Sequence, residues 1–190
     1  MERSVATQLD VIKEVTGIFE YSNIPYWMYG GWAVDFAAGR ITRDHGDIDF
    51  VIWRLDRGTA LHRLGLAGFV PRESEHPVHQ IALSRSGLDL EINVIEETAD
   101  GMIICPGDFG DWPWIPESFG SDTGAIGELR VRIVSPRGQL EAKEGFPRHR
   151  LSAPHREKDV HDIGILREII RQPIPCVHRH PQPGAAGAER

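Results

Sequence analysis

The chain has 190 residues, 41% of them hydrophobic, a formal net charge of −7 and two cysteines. That size and composition suit one globular domain with a real core. The acidic balance argues against a broad basic face for nucleic acid, and no apolar run approaches the ~20 residues that span a bilayer. Cys105 and Cys176 lie far apart and the N-terminus lacks an apolar leader stretch, so reduced thiols in a cytoplasm are expected.

Val5, Leu9, Ile12 and Phe19 fall at helical spacing and predict an amphipathic helix over about 4–21. Tyr26 to Tyr29 reads as a short apolar strand, Gly30-Gly31 as a turn, and Trp32 to Ala38 as a helix stopped by Gly39. A polar loop over about 40–46 precedes a buried strand, Ile48 to Trp53, and a helix, Arg57 to Leu66. Strands are expected at about 68–71, 78–84 and 88–95, with Ser86-Gly87 turning a hairpin. The Gly-, Pro-, Trp- and acid-rich stretch at about 106–124 reads as a long surface loop, a class that is often functional. An edge strand at about 129–134, a short helix ending over Gln139 to Lys143, and a last amphipathic helix at about 155–171 follow. The segment from about 173 to 190 has the composition of disorder.

Chemistry concentrates at two acidic strands. Side chains at i and i+2 of a strand share a face, so Asp47 and Asp49 stand together while Ile48 and Phe50 can pack on the other side. Two carboxylates that close repel unless a cation sits between them. Mg²⁺ is the natural guest, because it is commonly held by one or two carboxylates plus substrate phosphates. Leu88-Asp89-Leu90-Glu91-Ile92 repeats the pattern, placing Asp89 and Glu91 on one face. If the two strands are neighbours, three or four carboxylates converge, as two-metal phosphoryl chemistry requires.

Glycines that open a helix let a ligand approach free N–H groups at the positive end of the dipole. Gly30-Gly31 has that placement, although neither a Walker sequence nor a dinucleotide fingerprint is present. Arg43, His45, Lys143, Arg156 and Lys158 supply the positive charge that a triphosphate needs around it.

GGWAVDFAAGRITRDHGDIDFVIW resembles the core motif of antibiotic nucleotidyltransferases, the aminoglycoside 2''- and lincosamide enzymes of the DNA polymerase β-like superfamily. Gly30, Gly31, Trp32, Asp35, Gly39, Arg40, Thr42, Arg43, His45, Asp47 and Asp49 occupy the fixed positions of that motif. Leu88-Asp89-Leu90-Glu91 fits the later strand, and Lys143 with Arg156-Glu-Lys158-Asp159-x-x-Asp162 resembles the C-terminal lysine and helix. The resemblance implies an α+β fold: a mixed, largely antiparallel twisted sheet flanked by helices, with a core over about 1–135, a helical segment over about 136–172 and the tail beyond.

It also implies transfer of AMP from ATP to a hydroxyl of a small aminoglycoside- or lincosamide-like molecule, with release of pyrophosphate. In that reading Asp47, Asp49 and Asp89 bind Mg²⁺, two ions in all, and Asp89 accepts the acceptor's proton. Gly30, Gly31, Arg43, His45, Lys143 and Lys158 hold the nucleotide. The resemblance does not extend to residues 106–124; read from the residues alone, Asp108, Asp111 and Glu117 with Trp112 and Trp114, and Glu91 on its strand, suit a cationic, ring-shaped acceptor, the alternative being a solvated loop with its two tryptophans packed down. The chain is short, which leaves room for a homodimer partner to complete the cleft. Alternatives are the same fold modifying a protein or RNA, a glycosyltransferase using Asp-x-Asp, and a binding module without catalysis.

Overall fold

The computed structural model of the chain defines residues 5–107, 113–149 and 156–172. Helix α1 (Val5–Tyr21) buries Gln8, Val11, Ile12, Val15, Thr16 and Phe19, one continuous stripe at helical spacing. Strand β1 (Tyr26–Tyr29) runs directly into α2 (Gly30–Ala38), which ends on left-handed Gly39. Then come β2 (Asp47–Trp53), α3 (Arg57–Leu66), β3 (Val70–Pro71), β4 (Gln80–Arg85) and β5 (Leu88–Glu97). The chain continues through β6 (Ile103–Ile104), β7 (Thr123–Ile126), β8 (Leu129–Arg132), α4 (Pro136–His149) and α5 (Glu157–Arg171).

The main sheet has the order β1-β2-β5-β4-β3, with β6 added along β5. Only β2 and β5 run parallel; the other pairings are antiparallel, as the predicted mixed sheet requires. Pro71 has no N–H to donate, which confines it to an edge, and β3 is that edge. One sheet face buries Ile48, Phe50 and Ile52 of β2 against Leu88, Leu90, Ile92 and Val94 of β5, beneath α1, α2 and α3. The opposite face is split along its length. Asp47, Asp49, Asp89, Glu91 and Asn93 occupy its first part, while Val51, Trp53 and Ile95 join Trp27, Trp114 and Phe119 in a second, aromatic cluster.

The structure differs from the sequence reading at element ends. Helix α2 starts at Gly30 rather than Trp32, because Gly30 takes φ +72° and turns the chain in one residue. Among its described residues the loop at 106–124 contains a 3-10 turn, Pro116–Phe119, and runs into β7. The expected strand at 129–134 forms over Leu129–Arg132; it pairs with β7 in a hairpin laid on α2, where Gly124 packs against the Phe36 backbone, and Ile133 just beyond it bridges Met28 of β1. The short helix ending at Lys143 is the middle of α4. The expected tail, Cys176 and the acceptor-facing candidates Asp108, Asp111 and Trp112 lie outside the described residues.

Candidate active site

Parallel pairing of β2 with β5 sets Asp47 opposite Asp89 and Asp49 opposite Glu91. Residues facing each other in register point to the same side of the sheet, so all four carboxylates project from one face. Their apolar alternates anchor that register, since a one-residue slip would bury the acids and expose the core. Asp49 lies at the foot of a cleft. Its carboxyl is pushed well above the ordinary carboxylate range, first by burial and then by Asp47 and Glu91, with Lys143 and Lys158 pulling the other way. That is an acidic site short of positive charge, the condition a divalent cation relieves.

The glycine turn closes the same cleft. A Cβ on Gly30 would overlap Asp49 Oδ2 and stand 3.0 Å from Asp49 Cγ. A Cβ on Gly31 would overlap Arg43 Nη2 and stand 2.6 Å from His45 Nδ1. The two glycines therefore admit the Asp49 carboxylate on one side and the Arg43 guanidinium on the other.

Arg43 is fixed from below and behind. Its loop is pinned by a buried chain: His45 Nε2 lies 2.7 Å from Asp35 Oδ2, the Thr42 hydroxyl donates to Asp35 Oδ1, and the Gln8 amide donates to the His45 carbonyl. Trp32 Nε1 donates to Gln8 Oε1 at 2.9 Å, and its ring lies 4.5 Å from that of His45. His45 thus supports the turn and does not line the cleft. From behind, Arg43 Nε and Nη2 donate to Asp162 at 2.8 and 2.9 Å. Lys143 Nζ reaches Asp162 Oδ2 at 2.9 Å and Asp159 Oδ1 at 3.4 Å, and Arg156 chelates Asp159 at 2.7 and 3.1 Å. Burial alone would raise both aspartates, but the cations outweigh it and hold Asp159 and Asp162 below the ordinary range.

The cleft brings together eleven of the residues singled out in the sequence: Gly30, Gly31, Arg43, Asp47, Asp49, Glu91, Trp114, Lys143, Arg156, Lys158 and Asp159. Asp89 shares their face but sits at the cleft's margin, with its Oδ1 3.7 Å from Arg72 Nε. Glu91 is held at both oxygens, by Arg72 Nη2 at 2.5 Å and Gln80 Nε2 at 2.9 Å. Among the described residues no three His, Cys, Asp or Glu side chains, as they stand, converge closely enough to share one ion. Asp47 and Asp49 both line the cleft, and Asp89 stands in register beside Asp47 with Arg72 close to its carboxylate.

Arg72, Gln80, Asn93, His76, His79 and Glu141 escaped the sequence reading; all but Arg72 line the cleft. Trp114 stands at its aromatic wall, 5.5 Å from Tyr29 and 5.1 Å from Phe119. Burial pushes the Tyr29 phenol and the Cys105 thiol above their usual values, so both are neutral wall groups.

The chain is similar to known proteins in sequence and in fold. The 2''-aminoglycoside nucleotidyltransferase of Klebsiella pneumoniae is 44% identical over 43 residues, 23% of this chain and 24% of the relative, so the match spans about a quarter of that protein's length. A crystal structure of ANT(2'')-Ia in complex with adenylyl-2''-tobramycin superposes with a TM-score of 0.69 over 86% of this chain and 90% of the other, at 19% identity. The lincomycin-bound lincosamide adenylyltransferase LnuA superposes with a TM-score of 0.65 over 83% and 95%, at 23% identity. These likenesses establish the polymerase β-like nucleotidyltransferase fold. The profile of the aminoglycoside-2''-adenylyltransferase family matches residues 11–166, and the chain belongs to that family.

Proposed function

We propose that the protein transfers AMP from ATP to a hydroxyl of a small aminoglycoside- or lincosamide-like molecule, releasing pyrophosphate. The observation that carries this reading is the β2–β5 register, which gathers Asp47, Asp49, Asp89 and Glu91 on one face across from the glycine turn. Family membership and the antibiotic ligands of the structural relatives support the same substrate class.

Asp47 and Asp49, joined by Asp89, would hold magnesium, which supplies charge neutralisation at the phosphates. The N–H groups at the start of α2, together with Arg43, Lys143 and Lys158, grip the triphosphate and set its α-phosphorus in line with the acceptor. Asp89 takes the proton of the acceptor hydroxyl as the new O–P bond forms, and the bond between the α- and β-phosphates breaks. Trp114 and the amides of Gln80 and Asn93 orient the acceptor, with Glu91 held rigid beside them. The proposal extends to two ions, a cytoplasmic setting and a homodimer that completes the acceptor end; Mn²⁺ stoichiometry, cell fractionation and sedimentation check these.

The decisive variant is Asp89→Asn, assayed by ATP-dependent pyrophosphate release over a panel of aminoglycosides and lincosamides. Turnover should fall by about 10²–10⁴-fold, the usual loss for a general base, while Mg·nucleotide binding survives. A variant that keeps more than about a tenth of wild-type turnover removes Asp89 from the mechanism.

A further inference from the structure

Helix α5 carries a carboxylate that is not itself part of the cleft lining yet holds two of its cations. Asp162 is 1% exposed and is absent from the cleft lining. It accepts three charge-assisted bonds: from Arg43 Nε at 2.8 Å, Arg43 Nη2 at 2.9 Å and Lys143 Nζ at 2.9 Å. Arg43 comes from the loop before β2 and Lys143 from α4, so Asp162 on α5 is the atom group that ties these separate segments together. Because Arg43 Nη2 and Lys143 Nζ meet the same oxygen, they stand within about 6 Å of each other, a distance at which two partly buried cations repel.

Each cation keeps capacity for a further ligand. A guanidinium has five N–H donors. Arg43 uses two on Asp162 and one on the Asp44 carbonyl, at 3.0 Å. Lys143 uses two of its three on Asp159 and Asp162. The donors left over belong to groups that line the cleft beside Gly31.

We infer that Asp162 is a positioning residue for the triphosphate: it fixes Arg43 and Lys143 at the spacing the phosphates require and offsets their mutual repulsion. This rests on the reading of Arg43 and Lys143 as nucleotide ligands. It opposes a simple electrostatic expectation, in which deleting a negative charge near a phosphate site tightens phosphate binding.

Calorimetric binding of a non-hydrolysable ATP analogue with Mg²⁺ tests it without any acceptor, alongside far-UV circular dichroism to confirm folding. Asp162→Asn should weaken binding about tenfold or more, as loss of an orienting partner behind a ligand does, with KM for ATP rising more than kcat falls. Asp162→Glu, which keeps the charge and displaces it by about a bond, should fall between Asn and wild type. In an Arg43→Gln, Lys143→Met background the Asn change should add little, since it acts through those residues. Affinity of Asp162→Asn within about twofold of wild type, or tighter, overturns the inference, as does full additivity in the triple variant. If the Asn variant does not fold, unchanged affinity in Asp162→Glu overturns it instead. A wild-type chain that binds no Mg·nucleotide defeats the functional reading itself, and this inference with it.

Discussion

Gly30 offers the sharpest test of how the glycine turn serves the acidic face. Its φ of +72° is one that an L side chain adopts at a cost of about 1–2 kcal/mol. A Cβ there would also overlap Asp49 Oδ2 and crowd Cγ at 3.0 Å, and overpacking of this kind adds roughly 1–3 kcal/mol. The smaller entropy of an unfolded alanine returns about 0.4–1 kcal/mol. Gly30→Ala should therefore destabilise by about 2–4 kcal/mol, a fall in Tm of roughly 5–15 °C for a chain of this size. Gly127 is the matched control, with φ +58° and open space where its Cβ would go. Gly127→Ala carries the backbone cost without the overlap, about 1 kcal/mol net of the same entropy term, and leaves chemistry untouched. Urea and thermal unfolding of both variants, with turnover measured on the folded fraction, separate the two costs. Turnover of Gly30→Ala should drop by about 10²-fold, because Asp49 must move by roughly an ångström. Equal destabilisation by the two variants, with turnover retained in Gly30→Ala, would refute the close packing of turn on carboxylate.

Gly31→Ala strains no backbone but drives Arg43 Nη2 off the turn and crowds the buried His45 ring, so nucleotide affinity should fall about tenfold or more and stability by roughly 1–3 kcal/mol; calorimetry with the Mg·nucleotide analogue and thermal unfolding read the two. Stability of the metal-free protein should peak at mildly acid pH. Asp159 and Asp162 have lowered pKa values, so their contribution is present above the ordinary carboxylate value of about 4 and is lost as pH falls below it. Asp49 is raised, so its contribution is present below about 4 and is lost as pH climbs toward neutrality, a limb that Mg²⁺ should flatten. Urea midpoints from pH 3 to 8, with and without Mg²⁺, check both limbs, and a flat profile contradicts them. Arg72→Ala removes a partner of Glu91 and Asp89 from a site 34% exposed, so stability should move by under about 1 kcal/mol, whereas turnover should drop several-fold as the acids lose their bracket.

Much of this site is legible in the chain because its signals are local. The two-residue period of Asp47-Ile48-Asp49 and Asp89-Leu90-Glu91 states which atoms share a face, and the structure places them so. Gly30-Gly31 before an apolar helix is likewise a short-range pattern. What stays hidden depends on partners distant in sequence. Nothing near Asp162 announces that it bonds Arg43, 119 residues away, or that Lys143 completes the trio. Arg72 reads as one more surface cation until β3 and β4 swing it beside Glu91. His45 misleads in the opposite sense: its place in the motif suggests a phosphate ligand, yet burial, Asp35 and the Trp32 ring make it a prop beneath the turn. Strand β8 is legible from its alternation, but its hairpin partner β7 is not, because a Gly-containing strand start carries a weak propensity signal at the end of a polar loop.

The strand pair that displays the acids also builds the hydrophobic interior, and this restricts how the protein can evolve. Ile48, Phe50, Leu90 and Ile92 forbid any slippage, so the reactive groups are locked in place by residues that never meet a substrate. Variation in what the cleft accepts is then left to the stretch between β3 and β4, whose His76 and His79 line the cleft outside the paired strands. Loops of that kind can be rewritten while the two strands stay frozen.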